Sequence, residues 1–157
     1  MAKFRQHWKR NLGIIIAAGV VIFVVLQLIP VDRTNPPVVS EPNWDSPQTL
    51  TLVKDACFDC HSNETVWPWY SAVAPVKFLI DKDVHGGRRA IDFSEWANRR
   101  QNVDEIAEVV NGGEMPPWFY VIMHPKAKLS GSEKQALIDG LTKSIAQSPG
   151  AILGGRE

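Results

Sequence analysis

Residues 57–61 read Cys57-Phe58-Asp59-Cys60-His61, a C-x-x-C-H run that is the attachment signature of c-type haem. Two thiols at this spacing can form thioethers with the two vinyl groups of one haem, and the adjacent imidazole can bind the iron from the proximal side. Cys57 and Cys60 are the only cysteines among the 157 residues. The stretch therefore predicts one covalently bound haem c, with His61 as an iron ligand.

Two other kinds of site use a C-x-x-C pair. A thioredoxin-like dithiol lies at a helix start within a β-α-β pattern, and this sequence shows no such strand-rich pattern. A zinc site needs two further Cys or His ligands at a short, regular spacing, but His85 and His124 are too scattered to supply them. A structural disulfide or a dithiol stays open as the alternative to covalent haem.

The N-terminal thirty residues are unlike those of a soluble domain. Residues 11–31 contain no charged side chain, and Leu12–Ile29 is almost wholly apolar. At about 1.5 Å per residue, such a helix spans the roughly 30 Å hydrocarbon layer of a bilayer. Four basic residues precede it and no acidic residue occurs before Asp32, which favours an N-terminus that stays in the cytoplasm. We expect residues 12–30 to cross the lipid bilayer once.

A cleaved signal peptide is the main alternative to this anchor. Its apolar region would be about 7–15 residues long and would end at small residues. Here the apolar stretch is longer, and Leu28-Ile29-Pro30-Val31-Asp32 offers no A-x-A pattern. A buried core helix is a third interpretation, which the length and the basic flank disfavour. The sequence therefore favours an uncleaved signal anchor.

Composition divides the chain into four parts. Residues 1–30 form the basic flank and the anchor, and residues 31–44 form a Pro-rich tether. Residues 45–147 form the haem domain, and residues 148–157 form a flexible tail.

The charge of the chain is nearly balanced outside its N-terminus. Apart from the four leading basic residues, the chain has 13 Lys and Arg and 17 Asp and Glu. This balance excludes the strongly basic surface of a nucleic-acid-binding protein.

The haem domain is predicted to be helical. Ser46 or Asp45 caps a first helix that ends at Cys57, and a second helix covers about 73–84 and stops at Gly86-Gly87. A third short helix is expected to hold Phe93 and Trp96. Asn102 is predicted to cap a fourth helix, which ends at Gly112. Ser130 and Glu133 form a capping box before the last helix. The fold class is mostly α: a single N-terminal transmembrane helix plus a small helical cytochrome-c-like haem domain.

The second axial ligand has four candidates. Met115 lies in the stiff loop Gly112-Gly113-Glu114-Met115-Pro116-Pro117-Trp118, whose glycines allow close approach and whose prolines fix the backbone. We therefore favour Met115 as the second iron ligand. His124 and Met123 are the alternatives, followed by His85, and a gap-filling core methionine remains the plain interpretation of Met115.

Several other side chains are predicted to contact the haem. Arg88 could pair with a propionate, although a solvated charged turn fits it equally well. The aromatic residues could contact the ring or serve as ordinary core packing, and both hold if the haem lies in the core. These aromatic candidates are Trp67, Trp69, Tyr70 and Trp118.

Further stretches complete a wider pattern. They are Cys57–Thr65, Pro68-Trp69-Tyr70, Ala74-Pro75-Val76, Asp83-Val84, Gly87-Arg88, Phe93-Ser94-Glu95-Trp96, Met115-Pro116-Pro117, His124-Pro125 and Leu129-Ser130. Together they resemble the bacterial haem-binding domain family of small, membrane-anchored monohaem c-type cytochromes, over residues 45–147. The resemblance implies an exported domain with one covalent haem, and it supports Met115, which matches the family's Met-Pro-Pro motif.

These features lead to one expected function and two alternatives. We expect a monohaem cytochrome that is anchored in the bacterial inner membrane and has its haem domain in the periplasm. It would pass single electrons to or from a redox partner protein or a membrane electron-transfer complex. We do not expect an enzyme, because no positioned acid or base for a distal pocket is evident. The alternatives are a haem accessory subunit of a larger membrane complex and a five-coordinate haem sensor or peroxidase.

Overall fold

The protein is described by a computed structural model that covers residues 2–98 and 103–148. These residues are mostly helical and contain no strand, which confirms the predicted fold class. Their helices are α1 (Ala2–Leu28), α2 (Pro47–Ala56), α3 (Phe58–His61), α4 (Val76–Ala90), α5 (Val103–Gly112), α6 (Trp118–Met123) and α7 (Gly131–Gln147), with short 3-10 helices at Trp69–Ala72, Trp96–Asn98 and Pro125–Ala127.

The chain divides into two compact units. The first unit consists of the residues up to Arg33 together with Trp67–Lys82. The second consists of Thr34–Val66 and the described residues from Asp83 onward. The Cys57–His61 segment therefore belongs to the second unit.

Helix α1 of the first unit is long and apolar enough to cross a membrane. The qualifying stretch runs for 22 residues from His7 to Leu28. Its C-terminal end is held by the other segment of this unit, because the amide of Ala74 donates to Oε1 of Gln27 (2.7 Å). Nζ of Lys77 donates to the carbonyl oxygens of Gln27 (3.0 Å) and Ile29 (2.7 Å).

The second unit is built around a core of aliphatic and aromatic side chains. Helix α7 packs against both α2 and α5. A Cβ atom on Gly140 would collide with the side chain of Thr49, so the glycine is what lets α7 approach α2 this closely. The buried core cluster consists of Val53, Phe58, Phe93, Trp96, Val110, Leu137, Leu141 and Ile145.

The predicted starts of two helices are confirmed. The side chain of Ser46 accepts a hydrogen bond from the amide of Thr49 (3.2 Å) at the start of α2. Ser130 and Glu133 form the complete capping box of α7. Each cap gives a partner to an amide that the helix itself leaves without one. The predicted cap of α5, Asn102, lies outside the described residues.

Two predicted features of the helices are wrong, and one helix was not predicted. Helix α4 does not stop at Gly86-Gly87 but continues to Ala90, because Gly87 serves packing against Cys60 rather than termination. The predicted third helix is reduced to the 3-10 helix Trp96–Asn98, with Phe93 in the turn before it. Helix α6 was not predicted, and it occupies the sequence directly after the Met-Pro-Pro stretch.

Residues 31–44, the predicted tether, lie outside the helices. The amides of Val39 and Ser40 donate to the carbonyl oxygen of Ser94 (2.9 and 3.0 Å), and the amide of Trp96 donates to that of Ser40 (3.1 Å). From Thr34 onward this segment is therefore part of the second unit. The predicted tail lies outside the described residues beyond Ser148.

Candidate functional site

The Cys57–His61 segment forms a single helical turn. Cys57 ends α2 by donating its amide to the carbonyl of Val53 (2.8 Å), and the amides of Cys60 (3.1 Å) and His61 (2.9 Å) donate to the carbonyl of Cys57. Residues three and four positions apart lie on the same side of a helix. The two thiols, which are not bridged, and the imidazole therefore share one side of this turn.

Phe58, the second residue of the motif, holds this turn on the core. Its side chain is buried and stacks on Phe93 with 5.6 Å between ring centroids. The amide of Phe93 donates to the carbonyl of His61 (2.8 Å). The turn is thus fixed at its second residue by ring packing and at its last residue by a backbone hydrogen bond.

The imidazole of His61 is oriented by a backbone carbonyl. Its Nδ1 lies 3.2 Å from the carbonyl oxygen of Ile91, which can only accept a hydrogen bond, so Nδ1 carries the proton. Burial lowers the pKa of His61, and the ring is therefore neutral at pH 7. In this form Nε2 keeps its lone pair, as a metal-binding histidine requires.

The two thiols lie in surroundings that disfavour their ionisation. Burial raises the pKa of Cys57 to about 12, and the neighbouring Cys60 adds to the effect. Burial, followed by Asp83 and Asp59, raises the pKa of Cys60 to about 12, although Arg88 opposes this. Reactive dithiols and thiolate metal ligands have lowered pKa values instead. Burial of the two thiols thus disfavours the thiolate form that a redox dithiol or a zinc site uses.

Gly87 lets α4 reach the motif. A Cβ atom on Gly87 would collide with the backbone carbonyl of Cys60. No other residue type offers a helix surface without a side chain. The position of Gly87 inside α4 therefore follows from its contact with the Cys57–His61 turn, which we call the attachment turn after its predicted role.

Asp59, the third residue of the motif, connects the turn to α6. Its Oδ1 accepts a hydrogen bond from the amide of Val66 (3.0 Å), and its Oδ2 accepts one from the hydroxyl of Tyr120 (2.7 Å). Nε2 of His124 lies 3.8 Å from the same Oδ2. The rings of Tyr120 and His124 are stacked, with 4.0 Å between centroids. His124 is therefore held close to the attachment turn.

Met115 lies in the loop between α5 and α6. Gly113 adopts a positive φ of 77°, and the amide of Met115 donates to the carbonyl of Val109 (3.1 Å), which turns the chain back over the end of α5. The side chain of Met115 is 39% exposed and that of Met123 is 57% exposed. His85 lies within α4. The choice of second axial ligand stays a prediction.

The side chain of Arg88 forms hydrogen bonds within the second unit. Its guanidinium donates to the carbonyl oxygens of Ser62 (2.8 Å) and Thr34 (3.2 Å), to Oδ1 of Asn35 (3.0 Å) and to Oγ1 of Thr65 (3.0 Å). These bonds join the residues after the motif to the start of the second unit. The predicted contact of Arg88 with a haem propionate stays a prediction.

The predicted aromatic contacts are divided between the two units. Trp118 is largely exposed and meets Phe119 edge to face at 5.9 Å. Trp67, Trp69 and Tyr70 belong to the first unit, where Trp69 meets Tyr70 edge to face at 5.8 Å. Their predicted roles as haem contacts stay predictions.

Four residues of the site were missed by sequence reasoning: Asp59, Gly87, Ile91 and Tyr120. Asp59 gave no signal of a protein partner, because water can supply the donors of an exposed carboxylate. Ile91 contributes only its backbone carbonyl, to which the side-chain pattern gives no clue. Gly87 was recognised but interpreted as a helix end.

Comparison with known proteins gives one match. Residues 21–143, well over half of the chain, match the sequence profile of a family described as a haem-binding domain. The matched range includes the attachment turn, Met115 and His124. No curated protein and no solved structure matches the chain.

Proposed function

This chain belongs to the haem-binding domain family, and we propose that it is a membrane-anchored monohaem c-type cytochrome that transfers single electrons. The observation that carries the proposal is the attachment turn, with two unbridged thiols and a neutral imidazole on one side. This donor set fits haem c, because the thiols match the two vinyl groups and the neutral imidazole of His61 can bind the iron.

Each residue of the turn has its own task. Cys57 and Cys60 would hold the haem through thioethers, and His61 would bind the iron on the proximal side. The bound haem supplies a one-electron iron couple. The carbonyl of Ile91 fixes the orientation of His61 and raises its basicity, as partners of metal-binding histidines do.

Electron transfer is favoured over catalysis by the expected ligands. His61 and Met115 would both bind the iron, and this pair gives a higher potential than two histidines. With both residues bound, no ligand position would remain for a substrate. His124 is the competing sixth ligand, because its ring lies beside Asp59 of the attachment turn.

The anchor suggests where the electrons go. Helix α1 would keep the domain at the outer face of the bacterial cytoplasmic membrane, on the periplasmic side. Confinement to the membrane raises the effective concentration of the haem near a membrane partner. We therefore propose a membrane redox complex, or a soluble carrier that visits it, as the partner.

The proposal is tested first by absorption spectroscopy of the full chain extracted from membranes in detergent. A pyridine haemochrome spectrum should show one haem with two thioethers per chain, and Cys57→Ala with Cys60→Ala should abolish attachment. A protein that carries no haem when produced with its attachment machinery would overturn the proposal.

The second axial ligand is tested by a matched pair of variants. The oxidised protein should show the weak sulfur-to-iron charge-transfer band at the red end of the spectrum. Met115→Ala should abolish the band, while Met123→Ala should leave it intact. If the band is absent and the reduced protein binds carbon monoxide readily, the iron site is open, and a sensor or peroxidase becomes the better assignment.

A further inference from the structure

The C-terminal end of α1 is closed by groups from Trp67–Lys82, a segment that we call the collar. The last carbonyl groups of a helix have no donors within the helix. Here Nζ of Lys77 donates to the carbonyl oxygens of Gln27 and Ile29 at 3.0 and 2.7 Å. Lys77 is only 4% exposed, so its ammonium group is committed to this end of the helix.

Gln27 also holds the collar at the C-terminal end of α1. A side-chain amide at the end of an apolar helix is costly to bury unless its polar atoms are paired. Oε1 of Gln27 accepts a hydrogen bond from the amide of Ala74 at 2.7 Å, and Ala74 is itself buried. Gln27 and Lys77 thus hold the collar where the apolar stretch of α1 ends.

Other side chains of the collar are apolar and exposed. Trp69 is 80% exposed, and Val76 and Leu79 are also exposed. Tryptophan and tyrosine are enriched where a membrane meets water, because one end of each ring is apolar and the other is polar. An exposed tryptophan beside Tyr70, on a segment held at the end of a membrane-crossing helix, has the composition of such an interfacial belt.

We propose that the collar binds the interfacial region of the phospholipid bilayer on the side where α1 ends, with Trp69 inserted at the level of the headgroups. The continuity of the collar with the end of α1 identifies lipid as the occupant of this apolar surface. The membrane then holds the chain by two elements, α1 and the collar. This inference rests on the membrane anchoring in the proposed function, but not on the haem.

The experiment uses the full chain in phospholipid nanodiscs. Trp69 is replaced by the photoreactive aromatic residue p-benzoylphenylalanine, and lipid adducts formed on illumination are quantified by mass spectrometry. We expect Trp69→p-benzoylphenylalanine to give several-fold more phospholipid adduct than the same replacement of Lys143, an exposed polar residue of α7. A yield no higher than that of Lys143 would overturn the proposal.

A third position separates this inference from the anchoring on which it rests. Phe23 lies in the apolar stretch of α1, and the photoreactive residue placed there should form lipid adducts if α1 crosses the bilayer. Adducts at Phe23 without adducts at Trp69 would refute the collar and leave the anchor standing. The absence of adducts at both positions would refute the anchor, and the collar with it.

A second variant tests how the collar is held. Lys77→Met keeps the aliphatic stem but removes the donor to Gln27 and Ile29. The adduct yield at Trp69 should then fall towards the yield at Lys143, while the yield at Phe23 should not change. If the yield at Trp69 is unaffected by Lys77→Met, the placement of Trp69 at the lipid surface by Lys77 is refuted.

Discussion

Tyr120 joins α6 to the attachment turn through one hydrogen bond. Its hydroxyl donates to Oδ2 of Asp59 at 2.7 Å, and the two residues are 61 positions apart in the sequence. Asp59 lies between the two cysteines, and its carboxylate accepts hydrogen bonds from both Tyr120 and Val66. The hydroxyl of Tyr120 therefore helps to hold the candidate site as well as contributing to stability.

The first prediction concerns the strength of this bond. Tyr120→Phe should lower the free energy of unfolding by roughly 0.5–1.5 kcal/mol, the usual net value of a hydrogen bond. Chemical denaturation monitored by circular dichroism gives this value. A double-mutant cycle with Asp59→Ala isolates the pair. A coupling energy of zero would show that the two groups do not interact in solution.

The second prediction concerns alkaline pH. Burial, followed by the hydrogen bond to Asp59, raises the pKa of Tyr120 above its ordinary value of 10.0. The unfolded chain therefore loses this proton at a lower pH than the folded chain. The contribution to stability is complete below about pH 10 and is lost as the pH rises further. Tyr120→Phe should make unfolding less steeply dependent on pH above about pH 10, and equal slopes for the two proteins would contradict this.

At the residue scale, the sequence predicts those features of the candidate site that follow from the spacing of residues along the chain. Cys57, Cys60 and His61 are adjacent, and one helical turn places their side chains together. The partner of Asp59 could not be predicted, because Tyr120 is distant in the chain and follows no local pattern. The carbonyl of Ile91 could not be predicted either, because every residue carries one.

Helix α4 contains two neighbouring glycines with different surroundings. A Cβ atom on Gly87 would collide with the Cys60 carbonyl, whereas one on Gly86 would have no atom within 4 Å. Substitution by alanine at Gly86 therefore tests the effect of helix propensity alone, and the same substitution at Gly87 adds the effect of packing.

The third prediction follows from this pair. Gly86→Ala should stabilise the protein by about 0.5–1 kcal/mol, because alanine loses less backbone entropy in a helix. Gly87→Ala should destabilise it by about 1–3 kcal/mol, as expected for overpacking. Thermal unfolding of both variants gives the comparison. Equal effects at the two positions would mean that α4 does not pack on the attachment turn.

The fourth prediction concerns the start of α7. Hydrogen bonds from the side chain and the amide of Ser130 hold the pKa of Glu133 below its usual value of 4.5. A lowered pKa stabilises the fold above the unfolded value, and this contribution is lost as the pH falls through the folded value. Glu133→Gln keeps an acceptor but cannot ionise, so its Tm should fall less than that of the original protein below about pH 4.5. Parallel Tm profiles would contradict the capping role.

The elements themselves were predictable to different degrees. Helices α2 and α7 begin at capping residues whose chemistry is local, and both starts were predicted. The end of α4 was not, because a glycine that ends a helix and one that permits a close contact look alike in the sequence. Helix α6 was missed because its six residues form one short apolar run with no capping side chain.

At the scale of the whole molecule, the basic flank and α1 would define a direction through the membrane in the proposed anchoring. The fifth prediction is that protease added to spheroplasts digests the haem domain, while inside-out vesicles protect it. Replacing Lys9 and Arg10 by glutamate should weaken this orientation, because basic residues near the helix are retained in the cytoplasm. Digestion in the inside-out vesicles alone would place the domain in the cytoplasm.

The raised pKa values of the two thiols also imply an order of events during biogenesis. If the domain is exported as proposed, residues 57–61 reach the periplasmic side before Gly87 and Ile91 do. During that interval the cysteines are hydrated and keep their ordinary pKa of 9.0, which leaves a small thiolate fraction at neutral pH, whereas burial in the folded chain raises the pKa of the free thiols to about 12. The proposed thioether formation therefore belongs to the period of translocation, and folding of the second unit then closes the protein over the completed attachment.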